Sequence, residues 1–324
     1  MNTTPPERVL VTGGAGFIGS HLVDALLDAG TKHVTVVDTY FLGSDENLEH
    51  ARNRYPGALD VYREDAGDHV LMSEIIERSQ PDVVFNLATK ALLYSFLNPS
   101  GACQVNLSIA LTLCELLRKE CFGRLVHVSS SEVYGSARYV PMDEEHPLLA
   151  ETTYAAGKAA ADLAVASYVR MFDLDAVTVR PFNNYGPRQN EGLFAAVVPL
   201  TIMHILRGEQ PIVQGDGRQT RDLIYVEDTV QSIIASAMSP CVRGQTLNVA
   251  SGTETAIGEL VELICTIMEW GGGISYEATR TADVKRHLAD VGRATELLGT
   301  PAVTPLAEGI ERTVRWYVEQ GDLK

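Results

Sequence analysis

Apolar residues follow two alternating rhythms along the first half of this chain. In one, short runs are rich in apolar residues: Arg8 to Thr12, His33 to Asp38, Leu59 to Tyr62, Asp82 to Leu87, Arg124 to Ser129 and Leu174 to Arg180. β-Branched residues dominate the first two of these runs, and each run predicts a strand. In the other, apolar residues recur at helical spacing. Ile18, Leu22, Ala25 and Leu26 predict a helix over 17–27. Val105 to Leu117 predicts a second, with Gly123 as a stop signal, and the Ala-rich stretch Tyr154 to Phe172 predicts a third. Strands alternating with helices predict βαβ units and a parallel sheet. Runs apolar throughout belong to strands covered by helices on both faces.

After Arg180 the rhythm lapses, and prolines, glycines and basic residues become frequent up to Arg221. The change predicts a second, smaller unit. Asp222 to Ile234 and Gln245 to Ala250 read as a helix and a strand returning to the sheet. The larger unit then comprises 1–180 with 222–250, and the smaller one 181–221 and 251–324.

Composition narrows the function classes. Hydrophobic residues make up 45% and charged residues 21% of the 324 positions, which excludes a disordered chain. The formal net charge is −16, a field that repels nucleic acid and anionic membrane. A phosphorylated ligand would therefore need a local basic pocket. Five cysteines without a Cys-x-x-Cys pair read as reduced packing residues, and no spacing suggests a metal site. The beginning lacks a signal-peptide pattern, and the apolar run 193–206 is shorter than the ~20 residues of a membrane span. Together these predict a cytoplasmic location.

Gly13, Gly16 and Gly19 lie between the first strand and the first helix. Such a turn lets a pyrophosphate approach the backbone, and the helix N-terminus offers free N–H groups. Asp38 ends the next strand, where an acid suits the ribose hydroxyls of NAD and opposes the extra phosphate of NADP. Tyr154 and Lys158 share one face of a predicted helix. An ammonium beside a phenol favours the phenolate, which can take a hydroxyl proton as hydride leaves the same carbon. Ser129-Ser130-Ser131-Glu132 ends a predicted strand, at the edge where ligands bind in open α/β sheets.

Six motifs in order carry a resemblance that spans almost the whole chain. They are Thr12-Gly-Gly-Ala-Gly-Phe-Ile-Gly19, Asn86-Leu-Ala88, Ser129-Ser-Ser-Glu-Val-Tyr-Gly135, Tyr154-Ala-Ala-Gly-Lys158, Arg180-Pro-Phe-Asn-Asn-Tyr-Gly-Pro-Arg188 and Gly215-Asp-Gly-Arg-Gln-Thr-Arg-Asp222. The chain resembles the nucleotide-sugar epimerases and dehydratases of the extended short-chain dehydrogenase/reductase family. The resemblance implies a Rossmann-type, doubly wound parallel sheet with a smaller C-terminal α/β substrate-binding region. It implies tightly held NAD lined by Gly13, Gly16, Phe17, Ile18, Gly19, Asp38, Asp65, Ala88, Tyr154 and Lys158. It places the catalytic hydroxyl on Ser130 and a nucleoside-diphosphate sugar against Asn183 and Arg221. Arg188, Arg218, Lys285 and Arg286 are further cations in the substrate half. A homodimer is expected through the small-residue face Ala155 to Ala166 of the Tyr154 helix.

Members of the family diverge after oxidation of the sugar C4. Hexose 4,6-dehydratases carry Asp-Glu where this chain has Ser131-Glu132, simple epimerases usually have no carboxylate there, and sugar-acid decarboxylases resemble Ser-Glu. Lys90 places a cation where many epimerases have a small or neutral residue, as certain UDP-N-acetylglucosamine dehydratases do. It is read as orienting Glu132 or stabilising an enolate. The expectation is a dehydratase of a UDP- or dTDP-hexose, UDP-N-acetylglucosamine favoured, with Glu132 removing the C5 proton. A 4-epimerase, a UDP-uronic acid decarboxylase and a non-catalytic NAD-binding protein are the alternatives.

Overall fold

The first strand, β1 (Arg8–Thr12), shows how the main sheet is covered. Val9 and Val11 belong to one buried cluster and Leu10 to another. Strand side chains alternate between faces, so a strand apolar throughout needs cover on both. α1 (Phe17–Asp28) supplies Leu22, Val23 and Leu26 to the first cluster. The chain continues through β2 (His33–Val37), α2 (Glu49–Arg54), β3 (Leu59–Tyr62), α3 (His69–Ser79), β4 (Val83–Asn86), α4 (Pro99–Arg118), β5 (Arg124–Val128), α5 (Thr153–Phe172) and β6 (Ala176–Pro181). The second cluster holds Met72 and Ile76 from α3, Ile109 and Leu113 from α4, and Ala161 and Val165 from α5. Full burial of each such aliphatic side chain contributes about 1.5–3 kcal/mol.

From Asn183 the chain leaves the sheet and returns to it. It forms β7 (Asn183–Tyr185), α6 (Val197–Leu206), β8 (Ile212–Gln214), β9 (Thr220–Tyr225), α7 (Val226–Met238), β10 (Thr246–Val249), β11 (Glu254–Ala256), α8 (Ile257–Ile267), β12 (Ser275–Glu277), α9 (Gly292–Leu298) and α10 (Leu306–Gly321). The computed structural model describes residues 5–192, 194–278, 284–299 and 303–321. The large sheet is parallel throughout, in the order β10-β6-β5-β4-β1-β2-β3. Smaller sheets, β11-β9-β7 and β12-β8, pack with α6, α8 and α10 around Tyr185, Ile202, Leu260 and Ile310.

One expected helix is corrected. The segment 222–225 is strand β9, and α7 begins at Val226. Asp222 explains the difference: it is fully buried and accepts from the backbone N–H groups of Ser251, Gly252 and Ala289, tying the strand to two later segments. Among the described residues α4 alone has the length and apolarity of a bilayer span, and it packs against α5 and the sheet.

Candidate active site

The strand order reverses direction at β1, which lies between β4 and β2. Crevices for ligands open at the C-terminal ends of strands at such a point. The glycine turn leaves β1 there, and Ala88 to Lys90 leave β4. Gly13 has φ +71°, and a Cβ on it would come within 2.8 Å of the Ala88 backbone nitrogen. A Cβ on Gly19 would strike the Gly13 carbonyl oxygen. Both glycines are therefore required by backbone packing, and the turn stays open to a ligand.

The resulting cleft is lined by Gly13, Gly16, Phe17, Ile18, Gly19, Asp38, Asp65, Ala88, Ser130, Tyr154 and Lys158. The Asp38 carboxylate accepts from the Ala15 and Tyr40 N–H groups at 3.0 and 2.8 Å. Burial pushes its pKa up, against those two bonds and the Lys90 charge. Asp65 accepts from Gly67 N–H at 2.8 Å at the same cleft. An acid at the end of β2, a glycine turn without side chains and an open helix start fit a dinucleotide.

A second cleft runs between the sheet and the smaller region. Ser130, Ser131, Glu132, Tyr154, Asn183 and Arg221 line it, with Leu92, Leu93, Phe96 and Phe194 as an apolar wall. The two clefts share Ser130, Tyr154, Phe182 and Asn184, so Tyr154 stands where they meet. Local sequence places these groups. Thr152 caps α5 by accepting from Ala155 N–H, and Ser130 caps a short 3-10 turn by accepting from Glu132 N–H at 3.2 Å. Asn183 Nδ2 donates to the Asp222 carbonyl, and Arg221 Nη1 to the Thr220 carbonyl.

The Lys158 ammonium donates to the Val128 carbonyl at 2.8 Å. Burial lowers its pKa to about 8, and the Asp162 carboxylate opposes that drop. The Tyr154 phenol departs from expectation: burial and the Glu132 charge push it up to about 12, while the Ser130 and Thr89 hydroxyls pull it down. The protein alone thus holds a neutral phenol. Formation of the phenolate needs the positive charge of a bound nicotinamide ring beside it.

Four cations sit elsewhere than expected. Lys90 lies on the cofactor side, with Nζ 3.8 Å from the centre of the Phe41 ring and its charge acting on Asp38. That position puts the Lys90 charge at the cofactor cleft. Arg188, at φ +64°, pairs with Asp24 of α1 at 2.7 Å and lines the cofactor cleft, not the substrate cleft. Arg286 is exposed and clamps Glu254 through two bonds of 2.6 and 2.8 Å. Lys285 is exposed and lines neither cleft. Thr89, Phe182 and Asn184 also reach the junction. Phe182 and Asn184 lie inside a quoted motif, but nothing in the spacing marks Thr89.

Comparison with known proteins agrees with this geometry. The GDP-mannose 4,6 dehydratase family model matches residues 10–313. A UDP-glucose 4-epimerase of Mycolicibacterium smegmatis is 35% identical over 312 residues, covering 96% of this chain and 98% of the relative. A UDP-N-acetylglucosamine 4-epimerase structure from Methanobrevibacter ruminantium, in complex with UDP-N-acetylmuramic acid, superposes with TM-score 0.90 at 36% identity. It covers 98% of this chain and 99% of its own. The dTDP-glucose 4,6-dehydratase DesIV of Streptomyces venezuelae, with NAD bound, gives 0.89 at 31% identity, covering 98% of both chains. With a dinucleotide cleft and a tyrosine–lysine pair at its mouth, the chain belongs to the NAD-dependent nucleotide-sugar epimerase and dehydratase family of extended short-chain dehydrogenases.

Proposed function

We propose that this enzyme dehydrates a UDP- or dTDP-hexose, with UDP-N-acetylglucosamine as the favoured substrate. One observation carries the reading: the Glu132 carboxylate lines the same cleft as Ser130 and Tyr154, so a base faces the space where an oxidised sugar would sit. Arg221 and Asn183 line that cleft too and suit the diphosphate and its sugar.

Tyr154 takes the C4 hydroxyl proton, with Ser130 and Thr89 steadying the phenolate oxygen and Lys158 supplying positive charge behind it. Bound NAD supplies a hydride acceptor that later returns the hydride. A ketone at C4 makes the C5 proton acidic, and Glu132 accepts it. The C6 hydroxyl then leaves as water, taking the proton from Glu132. Ser131 is buried beside Glu132 and is not an acid, so one carboxyl serves both steps.

A second reading, 4-epimerisation, is favoured by that same serine, which stands where 4,6-dehydratases carry an acid. Mass and NMR analysis of the product from UDP-N-acetylglucosamine separates the two. Loss of water supports dehydration, and the product's double bond or methyl group shows whether hydride returned to C4 or C6. Unchanged mass with inverted C4 overturns it. Glu132→Gln is expected to abolish water loss while reduced cofactor still accumulates; full activity in that variant removes Glu132 as the base.

We also propose a homodimer through α4 and α5. The face expected to pair is largely used within the protomer, since Ala155, Ala159 and Ala161 are buried. Leu111 and Leu163 are the exposed apolar residues of these helices that support a pairing surface.

A further inference from the structure

Beneath the catalytic pair, buried polar side chains form two hydrogen-bonded runs that meet where His127 faces Asp162. The Ala88 N–H can only donate, and it reaches Thr12 Oγ1 at 3.2 Å. Thr12 therefore passes its own proton on to Asn86 Oδ1, at 2.8 Å. That fixes the Asn86 amide, whose Nδ2 donates to His127 Nδ1 at 3.0 Å. His127 accepts at Nδ1, so its single proton sits on Nε2, which lies 3.4 Å from Asp162 Oδ1, close enough for electrostatic attraction but without hydrogen-bond geometry. Arg180 Nε donates to the other carboxylate oxygen at 2.8 Å. Arg180 Nη1 donates to the Tyr134 hydroxyl, and Tyr134 to Asn248 Oδ1. Every side chain in this path is at least nine-tenths buried.

Asp162 is the only acid on the path and stands one helical turn beyond Lys158, on the same face of α5. We propose that Asp162 is a positioning residue for the reaction, a fixed buried anion that keeps the Lys158 amine charged and held against the Val128 carbonyl. The proposal rests on the nucleotide-sugar reading above. Charged and titratable groups from several elements surround this pair. Tyr154 and Asp162 share the lysine's helix, His127 precedes Val128 on β5, Arg180 reaches in from β6, and Glu132 acts on Tyr154 from the 131–134 turn. His127 is held neutral by burial, so it does not cancel the anion. Burial opposes charge on Asp162, but the His127 N–H and Arg180 guanidinium outweigh it and keep the carboxyl ionised. Arg180 and Lys158 are two cations against one anion, and the count balances when the Tyr154 phenolate forms. An apolar residue at 162 would pack as well but leave both cations without a buried counter-charge.

The test follows the Lys158 Cε resonance against pH in NAD-loaded protein labelled with 13C lysine, with no sugar present. In Asp162→Asn the midpoint is expected to fall by about one pH unit or more, while Asp162→Glu stays near the wild type. Turnover of Asp162→Asn is expected to be lost at correspondingly lower pH on its alkaline side. An unchanged lysine midpoint, with activity reduced equally at every pH, assigns Asp162 to packing alone and overturns the proposal. If Asp162→Asn does not fold, the 13C-labelled Asp162 carboxyl of the wild type gives the answer. It should move at the Lys158 midpoint, and indifference to that step overturns the proposal. Because the lysine titration needs no substrate, failure of the dehydratase reading would appear separately, as a wild type without product.

Discussion

A single phenol decides whether the redox chemistry starts. Tyr154 stands where the cofactor and substrate clefts join, and in the proposed reaction its hydroxyl oxygen takes the C4 hydroxyl proton. Removing only its hydroxyl, as Tyr154→Phe, is expected to lower kcat by about 10²–10⁴-fold, the usual worth of a positioned acid–base group. NAD affinity should stay near that of the wild type, because the phenyl ring keeps the cleft wall. Turnover assays and cofactor titration check both halves; activity within a few-fold of wild type would exclude the phenol as the base. At this scale the sequence was legible where a motif ties residue type to backbone geometry. Gly13, Gly19 and the Tyr154–Lys158 spacing are of that kind. Long cations were not legible. Lys90 and Arg188 lie within or beside the motifs, yet their flexible side chains turn to an aromatic ring and to Asp24. Local spacing does not record which tertiary partner a long side chain finds.

Helix pairing sets where the catalytic side chains point. α4 and α5 make the most extensive helix–helix contact among the described elements, and Gly157 is its narrowest point. A Cβ there would lie 2.6 Å from the Cys103 carbonyl oxygen and 2.8 Å from Cys103 Cα, both backbone atoms that cannot turn aside. Gly157 also sits between Tyr154 and Lys158 on α5. Gly157→Ala should therefore cost about 1–3 kcal/mol by overpacking, despite the better helix propensity of alanine. It should lower kcat as well, since α5 must move away from α4 and carry the pair with it. Urea midpoints and turnover measured on the same preparation check this; a more stable and fully active variant would contradict it. Elements of the parallel sheet were readable because both faces of each strand are covered, which makes the strands apolar throughout. The three-residue β7 and β11 were not, because so few positions leave no pattern, and β9 was missed although it is as long as β6. Asp222 hid β9, since a buried charge satisfied by distant backbone N–H groups looks like a surface acid in sequence.

At the scale of the molecule, acid sensitivity and self-association follow from burial. His287 is fully buried, its Nε2–H donates to the Gly135 carbonyl oxygen at 2.9 Å, and burial with the nearby Arg221 charge lowers its pKa to about 4. His21 is lowered to about 4 as well, again chiefly by burial. Between pH 6.5 and 4 the unfolded chain binds protons at these sites that the folded chain does not, so stability falls as pH drops through that window. His287→Gln keeps an N–H donor for Gly135 without a titrating ring. From pH 7 to 5 the wild type should lose about 2 kcal/mol more than this variant; parallel losses in denaturant titrations would show that His287 is not the source. The proposed self-association would use another surface. Leu163 of α5 is 57% exposed and Leu111 of α4 is 37% exposed, while the small residues of α5 are already packed inside the protomer. In the proposed dimer these two side chains, one on each of the two longest helices, would be covered by the second copy. With a net charge of −16 on each protomer, two copies also repel, so in the proposed dimer this apolar contact would supply the attraction and salt would strengthen it by screening. Sedimentation at micromolar concentration is expected to give a dimer for the wild type and a monomer for Leu163→Glu, which puts a charge into the contact and adds to the repulsion. A wild type that sediments as a monomer in both low and high salt would refute the pairing, and a Leu163→Glu protein that remains dimeric would move the contact away from α5.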